Sequence, residues 1–306
     1  MKIVVTGGTG FIGVPLVKKL IKANHQVIIL TRDPVECREF PTGAVATEQW
    51  DGRTAGVWSK HLEGANAVIN LAGEIIAGKR WSVERKALIT NSRVDATKAL
   101  VSAIANAKKK PEILVNASAV GYYGSVESGD VVESSPHGSD FLSQVCQRWE
   151  AEARVAEKDG VRVVMVRFGV VLGKEGGALK KMLLPFELFA GGPLGSGNQW
   201  FPWIHRDDVI GIILFAIEKH ALSGAVNAAA PEPATMKQFC KTLSEVMQRP
   251  SWAPVPPFIL KIALGEMADM VLTGQRVIPK KALDTGYHFL HPSLRGALQD
   301  ILRRPH

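Results

Sequence analysis

The chain has 306 residues, of which 46% are hydrophobic and 22% charged, and a formal charge of +8. This is an ordinary globular balance, long enough to bury a full core as one large α/β domain or as a core with a smaller lobe. No apolar run approaches the ~18 residues that would span a bilayer, and Lys and Arg are scattered without interleaved aromatics, so membrane insertion and nucleic-acid binding are both disfavoured.

Lys2 to Thr6 reads as a buried strand, followed by a glycine-rich turn and a helix over Phe11 to Ala23 with Ile12, Leu16 and Leu20 on one face. Gln26 to Thr31 and Ala67 to Leu71 read as further buried strands. A long helix is predicted from Val83 to Ala107, with Ser82 as its N-cap. Glu112 to Ala117 and Arg162 to Arg167 follow as strands, separated by a helix around Phe141 to Glu157. Strands alternating with helices imply right-handed crossovers and a parallel sheet. The triplet Lys108-Lys109-Lys110 reads as a solvated helix end.

Beyond Arg167 the pattern changes. A glycine-rich segment, Gly173 to Gly197, encloses a helix over Ala178 to Phe189, and Asp208 is the expected N-cap of a helix beginning near Val209. Thr235-Met-Lys-Gln238 has capping-box spacing. Prolines 250, 254, 256 and 257 then lead into a helix over Phe258 to Leu272. The expected fold is therefore a Rossmann-type, doubly wound parallel sheet over residues 1–170 and 203–230. A smaller, mostly helical C-terminal substrate lobe over 171–202 and 231–306 completes it. Three widely spaced cysteines, Cys37, Cys146 and Cys240, suit free thiols in a reducing compartment, and no signal peptide is read at the start, so a cytoplasmic location is expected.

The turn Gly7-Gly8-Thr9-Gly10-Phe11-Ile12-Gly13 carries the first functional signal. In a strand–helix context the first glycine permits a tight turn, the second lets backbone approach a pyrophosphate, and the third allows helix and strand to pack closely. The free N–H groups of the helix start favour an anion there. The second strand ends Thr31-Arg32-Asp33. Arg32 offers a fixed cation with the fork geometry that suits a 2′-phosphate, with Thr31 adding a hydroxyl. Asp33 would instead bind a ribose hydroxyl and favour NAD. NADP(H) is the expected cofactor.

Four further stretches make the pattern specific: Asn70-Leu-Ala-Gly-Glu74, Ser118-Ala-Val-Gly-Tyr-Tyr-Gly124, Gly191-Gly-Pro-Leu-Gly195 and Phe201-Pro-Trp-Ile-His-Arg-Asp-Asp208. With Lys79-Arg-Trp81, Ser92-Arg93 and Gly274-Gln-Arg-Val-Ile-Pro279, the chain resembles, nearly end to end, the extended and atypical short-chain dehydrogenases/reductases. Within them it is most similar to the YfcH-like epimerase-family-protein branch of the nucleotide-sugar epimerase superfamily. The resemblance implies that Thr9 to Ile12 line the pyrophosphate and that Thr31 and Arg32 meet the adenosine phosphate. Leu71, Ala72 and Gly73 would pass beneath the cofactor, with Glu74 beside them. Arg93 stands where extended relatives place an Asn, in reach of cofactor phosphate or of Glu74. Arg167 to Val171 would border the nicotinamide.

That superfamily's reactions need a Tyr-x-x-x-Lys on the helix after the serine strand, because the lysine lowers the phenol's pKa. Here the helix reads Phe141-Leu-Ser-Gln-Val-Cys-Gln-Arg-Trp-Glu150, placing Leu142 and Cys146, or Phe141 and Val145 one register away, at those positions. Ser118, Tyr122 and Tyr123 are the replacement candidates, against a structural reading in which one tyrosine packs in the core. His205 is expected to make a structural hydrogen bond. Glu74 and Lys79-Arg80-Trp81 would recognise an anionic substrate or pair with one another. No spacing of His, Cys, Asp and Glu suits a metal. Two functions stay open: an NADP(H)-dependent oxidoreductase or epimerase-like enzyme on a small polar substrate, or a non-catalytic NADPH-binding regulatory or scaffold protein. The second would need a protein partner, and some members of the branch carry labels that link them to cell or chloroplast division. A homodimer is open under either.

Overall fold

The computed structural model describes residues 1–41 and 43–303. Seven strands form one sheet: β1 (Lys2–Thr6), β2 (Gln26–Thr31), β3 (Val45–Gln49), β4 (Ala67–Asn70), β5 (Ile113–Ala119), β6 (Arg162–Phe168) and β7 (Gly224–Ala228). Their order is β3-β2-β1-β4-β5-β6-β7, and every pairing is parallel. The inner strands are continuous apolar runs because helices cover both sheet faces.

Alternate residues of one strand serve opposite cores, as a two-residue side-chain period requires. Ile3 and Val5 of β1 join Val27, Ile29, Val115 and Val164 beneath α1 (Gly13–Lys22) and α5 (Arg206–Glu218). Val4 joins Ile28, Val68, Leu114 and Met165 beneath α2 (Val83–Asn106) and α3 (Phe141–Arg154). A third cluster forms the C-terminal lobe, built from α4 (Gly177–Glu187), α6 (Met236–Met247), Phe201, Trp203 and the last helix, Leu294–Arg303.

The predicted strands all form, and the first two match residue for residue. Ser82 caps α2 by accepting from the Arg85 amide, and both halves of the Thr235–Gln238 capping box are made. Helix α1 starts two residues late, at Gly13, because the turn itself occupies Gly10 to Ile12. The expected single helix over Phe258 to Leu272 is broken: Pro257–Leu264 ends at Gly265, which takes a φ of 60°, and Asp269–Leu272 forms a separate short turn. The N-cap of α5 also needs correcting. His205 caps it, its Nδ1 accepting from the Asp207 amide, while Asp208 lies in the first turn. The Asp208 carboxylate accepts instead from the amides of Leu290 and His291 and from the Tyr287 hydroxyl, tying the C-terminal segment to the sheet. The three cysteines are buried and outside any disulfide, and no helix among the described residues is long and apolar enough to cross a membrane.

Candidate functional site

The strand order reverses between β1 and β4, and the crevice beyond their carboxyl ends is where a doubly wound sheet binds its ligand. The glycine turn forms its floor. Gly7 takes a φ of 66°. A side chain at Gly13 would stand 2.1 Å from the Gly7 carbonyl oxygen, so α1 can cross β1 this closely only on bare backbone. A side chain at Gly10, by contrast, would meet only that same oxygen, at 3.3 Å, and would point into open space. The first turn of α1 has no side-chain cap and no acidic residue, so nothing there opposes an anion at its positive end, although the Val14 amide already bonds the Gly10 carbonyl at 2.9 Å and Pro15 has no N–H to give. Phe11 packs its ring against Gly173, Gly176 and Gly177 and lies beneath the Arg206 guanidinium, itself paired with Glu175 at 2.7 Å. The turn is thereby locked to the segment following the partly buried Val171, which pairs with Ile204. Ile12 packs into the core, and Thr9 lies half-buried between the glycines.

The opposite wall is held by a chain of buried amides and hydroxyls. Thr6 donates to Asn70 at 2.7 Å, Asn70 donates to Asn116 at 2.6 Å and Thr97 at 2.9 Å, and the Trp149 indole donates to Thr97 at 3.0 Å. Through Asn70 this network also accepts the Ala72 amide, fixing Leu71, Ala72 and Gly73 where the crevice needs a wall. Glu74 pairs with Arg85 at 3.1 Å, and neither with Arg93 nor with Lys79 and Arg80. Arg85, in the first turn of α2, reaches back to that loop, to Glu74 and the Ile75 carbonyl. Trp81 stands edge-on to Phe141, and Arg80 approaches Gly265.

At the end of β2 the Thr31 hydroxyl bonds the backbone of Asp33, and an Asp33 carboxylate oxygen caps the Val35 amide at 2.8 Å. The acid is thus turned into its own loop, while the Arg32 side chain is exposed at the strand end.

Beyond β5 and β6 lies a buried ion pair. Arg167, 2% exposed, grips Glu150, 3% exposed, with two hydrogen bonds of 2.7 and 2.8 Å. Burial alone would lower the Arg167 pKa, but the Glu150 carboxylate outweighs it and holds the guanidinium above its ordinary value. Ser118 donates to Glu150 at 2.7 Å, and Tyr123 donates to Asn227 at 2.6 Å while accepting from Arg167 at 2.8 Å. Burial pushes the Tyr123 phenol up to about 12. Tyr122, half-buried, lays its ring 3.5 Å from the Arg167 guanidinium carbon. Leu142 and Cys146, one turn apart on α3, both face Gly121. The Cys146 thiol is raised to about 12 by burial and the nearby Glu150 charge, so it stays neutral.

Sequence reasoning passed over the Glu150–Arg167 pair, Asn116 and Asn227. A usable signal was there: a charged residue ending the run Val163-Val-Met-Val166, and a glutamate on the same helix face as Val145, Cys146 and Ala153. His205 makes the structural bond expected of it, but the structure adds partners. Its Nε2 lies 3.2 Å from Asp300 and its ring stacks on His291 at 3.8 Å. These three residues are close enough together to be considered as metal ligands. However, Nδ1 accepts a backbone hydrogen bond, so in the neutral ring Nε2 carries the proton and has no lone pair to offer an ion. Stacked rings also do not splay about a common ion.

The model of the NAD dependent epimerase/dehydratase family matches residues 3–229, and that of the domain of unknown function DUF1731 matches residues 255–301. The chain is 45% identical to the chloroplastic epimerase family protein SDR39U1 homolog of Arabidopsis thaliana, covering 99% of this chain and 87% of that one. It is 42% identical to epimerase family protein YfhF of Bacillus subtilis, over 99% of this chain and 98% of the relative. The crystal structure of human epimerase family protein SDR39U1 (isoform 2) with NADPH superposes with a TM-score of 0.89 at 37% identity, covering 98% and 99% of the two chains.

Proposed function

The chain belongs to the NAD dependent epimerase/dehydratase family, and on that premise we propose that it binds NADP(H) along the Gly7–Gly13 turn and acts as an oxidoreductase or epimerase-like enzyme on a small polar substrate. The observation that carries this reading is the cradle itself. Gly13 is pressed onto Gly7, Gly10 opens to the crevice, and an uncapped helix start lies behind them. Backbone from Thr9 to Ile12 holds the pyrophosphate, the loop Leu71–Gly73 forms the wall, and Thr31 and Arg32 border the adenosine ribose. When bound, the nicotinamide supplies hydride transfer. The human relative's structure with NADPH and the inward-turned Asp33 support the phosphorylated cofactor. A cytoplasmic location belongs to the same proposal.

The phosphate-reading role of Arg32 has a direct test. Charge-assisted hydrogen bonds to a 2′-phosphate contribute roughly 1.5–3 kcal/mol each, so NADPH is preferred over NADH by about tenfold to a hundredfold. Arg32→Ala removes most of that preference by weakening NADPH and leaves NADH as it was. Calorimetric titration of both cofactors measures this, and a preference untouched by the substitution excludes Arg32.

Of the three hydroxyls proposed as proton donors, Ser118 and Tyr123 already hydrogen-bond within the protein, which favours Tyr122 as the donor and the other two as its support. General-acid catalysis of this kind contributes roughly 10²–10⁴-fold. Tyr122→Phe is expected to lower kcat by that range, with NADPH affinity retained, when NADPH oxidation is followed across a panel of carbonyl compounds. An unchanged kcat assigns the proton elsewhere.

A second reading rests on α3, whose Leu142 and Cys146 contribute no proton-transfer group to the crevice. Under it the chain is an NADPH-binding regulatory or scaffold protein, with a protein partner and no turnover. NADPH bound without oxidation across the panel, together with a partner captured only in its presence, would establish that reading.

A further inference from the structure

Arg167 is held flat. Its Nε and Nη2 donate to the two Glu150 oxygens at 2.7 and 2.8 Å, and its Nη1 donates to the Tyr123 hydroxyl at 2.8 Å and the Glu133 carbonyl at 3.3 Å. A guanidinium's N–H groups lie in its plane, so these bonds fix the direction of its two faces without covering either. Glu150 also neutralises the charge, so Arg167 offers the site a rigid platform rather than a free cation. Tyr123 is fastened in turn by donating to Asn227 at 2.6 Å.

One face of that platform carries Tyr122. The guanidinium carbon lies 3.5 Å from the centre of the Tyr122 ring, a separation that only a face-on approach allows. Two further rings border it edge-on, Tyr123 at 5.5 Å and 84° and His137 at 6.0 Å and 86°. The backbone is pinned as well, the Tyr122 carbonyl accepting from the Ser143 hydroxyl at 2.8 Å and the Gly138 amide at 3.0 Å. The Tyr122 hydroxyl is different. It makes no hydrogen bond to any described residue, and it is not among the buried polar atoms left without a partner, so it reaches solvent. Ring and backbone are fixed while the proton-bearing end stays open.

We propose that Arg167 is a positioning residue: its stacked guanidinium aims the Tyr122 hydroxyl at the crevice, a task α3 cannot perform because Leu142 and Cys146 offer packing alone. This rests on the reading of Tyr122 as proton donor, and deepens it by naming what holds the donor. Arg167 is 2% exposed, so it acts through Tyr122 and does not meet a ligand itself. Proton transfer needs the donor oxygen within hydrogen-bond reach of its acceptor, so a ring free to tilt loses rate without losing cofactor. A lysine at this position would keep a charge opposite Glu150 but not the flat face.

A double-mutant cycle with two readouts tests this. Arg167→Lys is expected to lower kcat for NADPH-dependent carbonyl reduction by about tenfold to a hundredfold, the order that a misplacement of about 1 Å costs. KM and the calorimetric affinity for NADPH should hold. Tyr122→Phe added to Arg167→Lys should then lower kcat no further than Tyr122→Phe alone, because both changes remove one function. The chain has three tyrosines, so in protein labelled with 3-fluorotyrosine the fluorine resonance missing from Tyr122→Phe identifies that ring, and it should move in Arg167→Lys. If Arg167→Lys fails to fold, Glu150→Gln with Arg167→Met removes the platform as a neutral pair and enters the same cycle. Losses that multiply in the combined variant mark a merely structural arginine and overturn the proposal. So does an unchanged kcat in Arg167→Lys, or a Tyr122 resonance that does not move. If wild-type protein bound NADPH but reduced no carbonyl compound, the donor reading itself would fail first and take the proposal with it.

Discussion

Glu150→Gln destabilises the protein by roughly 3–5 kcal/mol, the cost of leaving one partner of a buried ion pair uncompensated. Arg167 is 2% exposed and cannot recover the lost charge from water. The glutamine can still accept one of its hydrogen bonds, but not the bidentate pair at 2.7 and 2.8 Å. At about 2.1 cal/mol/K of unfolding entropy per residue, that loss lowers Tm by about 5–8 °C. Ser118 also donates to the same carboxylate, so its hydroxyl is released at the far end of the crevice. The double variant Glu150→Gln, Arg167→Met should recover part of the stability, because it removes the stranded guanidinium. Thermal denaturation of both variants provides the check. A Tm within 1–2 °C of wild type for the single variant, using the same ~2.1 cal/mol/K per residue, would mean that water or a neighbour compensates Arg167.

Gly13→Ala abolishes tight NADPH binding and reduces stability together. The new methyl would sit 2.1 Å from the Gly7 oxygen and 2.7 Å from the Gly8 Cα, both backbone atoms that cannot turn aside. Overpacking of this kind costs about 1–3 kcal/mol, and here it is relieved only by shifting α1 away from β1. The N–H groups that would hold the pyrophosphate move with the helix. Losing one or two charge-assisted bonds, at roughly 1.5–3 kcal/mol each, weakens binding by about tenfold to more than a thousandfold. Gly10→Ala distinguishes the cradle from the packing. Its methyl meets only the Gly7 oxygen, at 3.3 Å, so the melting temperature should hold while NADPH affinity falls. If Gly10→Ala bound NADPH as wild type does, the ligand would not cross the turn at that point.

The strands that were readable in advance share one property: each is buried on both sides, so its apolar run announces it without reference to any neighbour. The edge strand Val45–Gln49 has no such run, being exposed at Ala46, Thr47 and Gln49, and exists because β2 offers it a ladder. The short strand Gly224–Ala228 is small-residue backbone added beside β6. The Asp208 assignment failed for a related reason. An Asp ahead of an apolar helix is ordinarily a cap, but here Leu290 and His291, over eighty residues onward, supply the amides it accepts.

The sequence by itself determined the doubly wound sheet, the capped helices and the glycine turn, since burial period, caps and bare backbone are properties of neighbouring residues. It also showed that α3 carries neither tyrosine nor lysine. Only the tertiary structure decided where the charges lie. Glu150 meets Arg167 because α3 packs beside β6, His205 meets His291 and Asp300 because the last helix folds back, and Glu74 meets Arg85 because α2 turns that side chain back toward the loop. Electrostatic partnership depends on distance through space and on exclusion of water, neither of which is encoded in spacing along the chain.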